Sequence, residues 1–279
     1  MSTQPWLATY AANNIPASIN ADVYPSVVRM MEEAMAQYAD QPAFCAFGQT
    51  LSYADVDRQS AAFAAWLQQR LGVKKGDLIA VMVPNFIAFP IVFLGIARAG
   101  AVQVNVNPLY TPRELAHQLK DSGSETIVIF NGATPTLAEA MGATDIRNVV
   151  TVSPGDGTPA VLPSPAVDAR LTHTITLADA LAQGASLQRT PVSLTGQDLL
   201  FLQYTGGTTG LSKGAALTHR NLVANVAQYK AIVPSAVRPG QEVVVTAIPL
   251  YHIFALMVNF LTYFTVGATN WLVANPRDM

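Results

Sequence analysis

From Leu78 to Ala97 the chain is almost wholly apolar, long enough to cross a bilayer as one helix. Pro84, Asn85 and Pro90 interrupt the run. A proline removes a backbone donor and fixes φ, and Pro-Asn marks a turn. The run therefore divides into a buried strand, Leu78–Val83, a turn, and a helix, Phe86–Ala99. A second apolar run, Ile253 to Val273, carries Asn259, several threonines and Gly267. It reads as a helix, Ala255–Phe264, followed by a strand, Thr269–Val273. A strand feeding directly into an apolar helix is the repeating unit of an α/β fold.

The rest of the chain keeps that rhythm. Helices are expected at Pro25–Tyr38, Tyr53–Leu71, Thr176–Gln183 and His219–Ala231, the first two from apolar positions at helical spacing. Thr111 and Glu114 form a capping box around Pro112, which starts a helix that Gly123 ends. Strands are expected at Ala43–Phe47, Thr50–Ser52, Ala101–Val106, Glu125–Phe130, Val149–Val152, Leu199–Gln203 and Val243–Ile248, with a hairpin at Gly48. Residues 153–171 are rich in proline and glycine and read as a loop or insertion. The fold class is α/β: open, mostly parallel sheets with flanking helices. Ligands in such sheets bind beyond the strand carboxyl ends.

Tyr204 to Gly214 follows the strand Leu199–Gln203 and reads Tyr-Thr-Gly-Gly-Thr-Thr-Gly-Leu-Ser-Lys-Gly. Glycines let successive N–H groups converge, threonines add hydroxyl donors, and Lys213 adds a point charge suited to phosphate. A P-loop would place Lys directly before Ser or Thr; here Lys213 follows Ser212. Gly210-x-Ser212-x-Gly214 matches a serine-hydrolase elbow, with Glu242 and His252 following in the permitted order. That elbow needs a helix at once, and the next expected helix starts near Thr218.

Composition narrows the classes further. Net charge is −2, with 16 basic and 18 acidic residues, which gives no footprint for nucleic acid. The single cysteine, Cys45, lies in an apolar stretch and excludes an internal disulfide or a cysteine metal cluster. The first basic residue is Arg29, so no secretory signal is expected and a cytoplasmic location is.

The Tyr204–Gly214 string resembles the phosphate loop of the acyl-adenylate-forming (AMP-binding) superfamily. Gly206 stands where serine is usual and Ser212 where proline is usual; Gly206 is similar to the long-chain fatty-acid branch. Pro249–Phe254 resembles a second signature of that superfamily. Asn105–Leu115, Leu217–Asn225, Tyr38–Ala43 and Asn275–Asp278 look like bacterial long-chain fatty-acid–CoA ligases.

The resemblance implies a two-step reaction. A fatty carboxylate attacks the α-phosphorus of ATP, giving acyl-adenylate and pyrophosphate; the thiol of coenzyme A then takes the acyl group and releases AMP. It implies that Tyr204, Thr205, Gly206, Gly207, Thr208, Thr209, Gly210, Lys213 and Gly214 bind the ATP phosphates. It implies that Tyr251, His252 and Phe254 border the acyl pocket. Partners would be fatty acid, ATP and coenzyme A, with Mg²⁺ as the metal. Related ligases often dimerise, and a fatty-acid substrate suggests peripheral contact with the inner membrane face, although no basic patch supports it.

Family members are about twice as long. Their Mg²⁺-binding glutamate, ribose aspartate and catalytic lysine lie further along than residue 279. Residues 1–279 are therefore expected to be a partial N-terminal adenylation domain, inactive alone as a ligase. A non-catalytic nucleotide- or acyl-binding remnant that pairs with another chain is the alternative, beside the hydrolase built on Ser212.

Overall fold

The computed structural model describes residues 4–205, 212–233 and 237–275. After a short helix α1 (Trp6–Ala12), helix α2 (Val27–Gln37) starts at Ser26, whose side chain accepts from the Arg29 amide. Strands β1 (Pro42–Ala46) and β2 (Gln49–Ser52) form an antiparallel hairpin. Its turn places Phe47 at φ 51° and Gly48 at φ 70°. Two consecutive left-handed residues match the twist of a hairpin, and glycine takes that conformation without steric cost.

Helix α3 (Tyr53–Arg70) opens on a capping box of Ser52 and Asp55. The long apolar run divides as expected, into β3 (Leu78–Met82) and α4 (Ala88–Arg98). Every residue of α4 is buried, the condition under which a helix can be apolar all round. Its one charged side chain, Arg98, is 3% exposed and ion-paired with Glu32 and Asp57. Strand β4 (Val102–Asn105), helix α5 (Pro112–Ser122), β5 (Thr126–Phe130), α6 (Thr134–Ala140), β6 (Asn148–Val152), β7 (Thr174–Thr176) and α7 (Leu177–Gly184) follow. Residues 153–173 contain no helix or strand, in line with their proline and glycine content. The chain then forms β8 (Leu199–Thr205), β9 (Lys213–Thr218), α8 (His219–Ile232), β10 (Val243–Thr246) and β11 (Thr269–Leu272).

The strands make two sheets. The larger has the order β7-β6-β5-β3-β4-β8-β9 and is parallel except for the antiparallel β8–β9 pair. The smaller has the order β10-β11-β1-β2 and is parallel from β10 to β1. Helices α3 and α4 lie in one continuous apolar core with residues of both sheets, Phe44 and Phe201 among them, and with Phe260. Leu115 and Leu119 of α5 pack in a second cluster with Ala80, Val104 and Ile127.

Three expectations need correction. Residues 213–218 form strand β9, where the sequence suggested only loop before Thr218. Strand β7 and helices α1 and α6 were not expected. Ala255–Thr262 is a π-helix rather than an α-helix. Thr262 Oγ1 donates to the Met257 carbonyl, five residues back, at 2.9 Å, and a periodic apolar pattern cannot distinguish the wider turn. Among the described residues no helix is long and apolar enough to cross a membrane.

Candidate functional site

The loops after β3, β4, β10 and β11 meet beyond the strand carboxyl ends, where α/β sheets place ligands. They enclose a cleft of about 450 Å³ whose walls include Pro84, Pro108, Ala247, Tyr251 and Val273. Both sheets contribute to it. A cleft of similar size, about 470 Å³, lies between α3 and α7 with Arg58 and Arg189 on its walls. It lies against the flanks of these helices, away from the strand carboxyl ends.

Asn85 organises the first cleft. Its Nδ2 donates to the carbonyls of Thr246 and Ile248 at 3.0 and 3.1 Å, and its Oδ1 accepts from the Leu250 amide at 2.7 Å. One side chain, 2% exposed, thus carries the loop after β3 to the loop after β10. The segment holding Tyr251, His252 and Phe254 hangs from that contact.

A second polar chain reaches the same segment from β8. Gln103 donates to Asn105, Asn105 donates to Gln203, and Gln203 Nε2 donates to the Tyr251 carbonyl, at 2.6, 2.8 and 3.3 Å. All three side chains are buried, so each amide is held by its neighbours. The final residues of β8 and the Pro249–Phe254 segment therefore lie side by side.

Of the phosphate-binding residues expected from sequence, Gly206, Gly207, Thr208, Thr209 and Gly210 lie outside the described residues. The flanks are described. Thr205 pairs with Lys213 and Tyr204 with Gly214 across the β8–β9 ladder. Thr205 and Lys213 are exposed and Tyr204 is buried. The Tyr204 hydroxyl donates to Asp121 Oδ2 at 2.6 Å. Burial, and then this acceptor carboxylate, push its pKa up. A Cβ on residue 214 would come within 3.0 Å of the Tyr204 ring. Ser212 leads into a strand rather than a helix, which removes the geometry a hydrolase elbow requires.

Of the three acyl-side residues, Tyr251 is half-buried and lines the cleft, and burial raises its pKa. His252 and Phe254 are exposed and stand outside the cleft walls. The His252 Nδ1 accepts from the Phe254 amide at 3.3 Å, so a neutral His252 carries its proton on Nε2. Among the described residues no group of three or more His, Cys, Asp or Glu could hold a metal ion. The described residues supply no such group for Mg²⁺.

Asn85, Gln203 and Asp121 are the site-building residues that sequence reasoning passed over. Asn85 had a visible signal, a polar side chain set between Pro84 and Pro90 in an apolar run. Gln203 and Asp121 had none, since their partners are far along the chain.

The profile of the family described as AMP-binding enzyme matches residues 31–279. A long-chain-fatty-acid–CoA ligase of Escherichia coli O6:H1 is 46% identical over 98% of this chain and 51% of its own length. The ligase of the same name from Salmonella typhimurium is 45% identical over the same shares. The chain thus spans about half the length of the curated relatives it matches. A solved long-chain-fatty-acid-CoA ligase from Archaeoglobus fulgidus superposes with a TM-score of 0.75 at 21% identity, covering 94% of this chain and 49% of that one. At that identity the likeness concerns the fold.

Proposed function

Because the chain belongs to the AMP-binding enzyme family, we propose that it carries the ATP-phosphate and acyl-facing portion of a ligase. That ligase joins a long-chain fatty acid to coenzyme A through an acyl-adenylate. The observation that carries this reading is the bond from Gln203 to the Tyr251 carbonyl, which sets the end of β8 against the Pro249–Phe254 segment. Two segments far apart in sequence thus become neighbours, and on this reading one faces the phosphates and the other the acyl group.

On this reading Thr205, the glycines and threonines of 206–210, and Lys213 hold the β- and γ-phosphates. Lys213 acts by charge, offsetting the negative charge that builds on departing pyrophosphate. It is exposed at the start of β9, free to reach a ligand with its flexible stem. Tyr204 and Gly214 support the segment from the strand side. Tyr251 contributes an apolar ring to the cleft where the carboxyl end of a fatty acid enters, and His252 and Phe254 stand at its rim. Coenzyme A is the acyl acceptor of the second step. Mg²⁺, the metal of the family reaction, neutralises phosphate charge; the described residues of this chain supply no ligand set for it. The chain spans about half the length of the curated relatives it matches, and on this reading it does not complete the ligase reaction by itself.

Fatty-acid-dependent exchange of labelled pyrophosphate into ATP tests the reading, with palmitate and Mg²⁺ present and Lys213→Ala run in parallel. The expected result is no exchange from this chain and ATP binding that Lys213→Ala weakens without loss of folding. Exchange abolished by Lys213→Ala would overturn the expected inactivity. Equal ATP affinity in the variant would remove Lys213 from the phosphate site.

A further inference from the structure

Helix α5 is an unusually well-fixed element. Thr111 and Glu114 close a capping box at its start, Pro112 occupies its first turn, and Gly123 ends it in the left-handed conformation at φ 68°. Leu115 and Leu119 are fully buried. Gln118, also fully buried, donates from Nε2 to the Asn105 carbonyl at 2.7 Å, which ties the helix to β4.

On this fixed helix His117 and Asp121 are four residues apart, so they share one face. Asp121 grips the end of β8, and His117 grips the residue that leads into β9. Asp121 Oδ2 accepts from the Tyr204 hydroxyl at 2.6 Å, and His117 Nε2 lies 3.3 Å from the Ser212 carbonyl. A carbonyl only accepts, so Nε2 carries the hydrogen there. The gripped residues directly precede Thr205 and Lys213, which pair with each other across the hairpin. Tyr204 stacks over Gly214, whose missing Cβ leaves room for the ring. That assigns Gly214 a packing role beside any contact with phosphate.

We propose that His117 and Asp121 are positioning residues that act through Ser212 and Tyr204 to hold Lys213 and Thr205 at a set separation for a nucleoside polyphosphate. The polyphosphate half of this inference rests on the reading of Lys213 given above. Neither side chain touches the ligand.

Two readouts on the purified chain separate the clamp from the phosphate reading. The first is amide hydrogen exchange of the peptides covering β8 and β9, without nucleotide. The second is ATP affinity by calorimetry with Mg²⁺ present. Asp121→Ala and Tyr204→Phe should each speed exchange in both strands and weaken ATP binding about tenfold, the size of one hydrogen bond to a charged group. The double variant should be no worse than either alone, because both remove one bond. Asp121→Asn keeps an acceptor for the hydroxyl and should stay within about threefold of wild type. His117→Ala should act on the β9 peptide more than on the β8 peptide. The unfolding midpoint of His117→Ala and Asp121→Asn should stay at the wild-type value, which separates positioning from folding. Wild-type exchange in Asp121→Ala, or additive effects in the double variant, would overturn the clamp. A wild-type chain that binds no ATP, yet shows the coupled exchange, would overturn the phosphate reading and leave the clamp standing.

Discussion

Two regions of the molecule are held by different forces. The inner region, β3, β4, α4 and α5, is fastened by apolar burial: four of the five residues of β3 and all of β4 and α4 are buried. In the outer region, β9, α8 and β10 with its following loop, the strands are held by polar anchors, while α8 and the loop add Leu222, Val223, Val226 and Leu250 to the core. Strand β9 has no buried residue and β10 has only Thr246. The anchors are Asn85 to the loop after β10, Gln203 to Tyr251, Tyr204 to Asp121, and His219 to α2. Apolar burial is non-directional and makes a rigid wall. Hydrogen bonds between side chain and backbone fix distance and orientation. The contrast suggests that the inner wall supplies stability and the outer wall supplies placement.

The largest expected effect comes from cutting the strongest anchor. Asn85→Ala removes one acceptor and two donor contacts at once, leaving the Leu250 amide and the Thr246 and Ile248 carbonyls to find new partners. Leaving one buried group unsatisfied costs about 1–3 kcal/mol, so about 3 kcal/mol or more is expected here. Urea unfolding of the variant measures it. A loss below about 1 kcal/mol would mean that water replaces Asn85, and the outer wall is not anchored where the geometry places it.

His219 gives a comparable effect that is set by pH. It is 1% exposed, and its Nδ1 accepts from the Val27 amide at 3.1 Å, at the first turn of α2. Burial drives its pKa down to about 4, against a smaller upward pull from Asp198. The unfolded chain therefore binds a proton that the folded chain refuses, between about pH 6.5 and pH 4. Stability is fully present above pH 6.5 and falls as pH drops through that window, by about 2–3 kcal/mol at pH 4.5. Half-buried Asp156 has a pKa raised chiefly by desolvation and works in the opposite direction. His219→Gln isolates the histidine, because the amide oxygen can still accept from Val27 without titrating. Urea unfolding at pH 7 and pH 4.5 should show a flatter dependence in the variant. An unchanged dependence would assign the acid sensitivity to other groups.

The inner wall was legible in sequence because its signal is local. An apolar run broken by Pro84, and a capping box followed by Gly123, specify β3, α4 and α5 without reference to the rest of the chain. The outer wall was less legible for the reverse reason. Strand β9, Lys213–Thr218, has a glycine and small side chains and no alternation; it exists because β8 offers it a ladder, and strand formation depends on such context. Tyr204 and Lys213 stood out by composition, but Asp121 and His117 are ordinary helix residues until the fold brings them to the hairpin. The widened turn of Ala255–Thr262 is likewise invisible in a pattern that only reports which face is apolar.

The smallest effect is the one that tests the contrast most directly, because it uses one substitution on both walls. Val81 in β3 is fully buried, whereas Val245 in β10 is 63% exposed. Valine to threonine keeps the shape and the β-branched preference for strand, but exchanges a methyl for a hydroxyl. In β3 that hydroxyl enters the apolar core that also holds Phe89 and should cost about 1–3 kcal/mol. In β10 it meets solvent, and a change within about 0.5 kcal/mol is expected. Unfolding midpoints of the two variants, measured side by side, give the ratio. A cost at Val245 as large as at Val81 would show that the outer face of β10 is covered in solution, and β10 would then owe part of its hold to apolar contact.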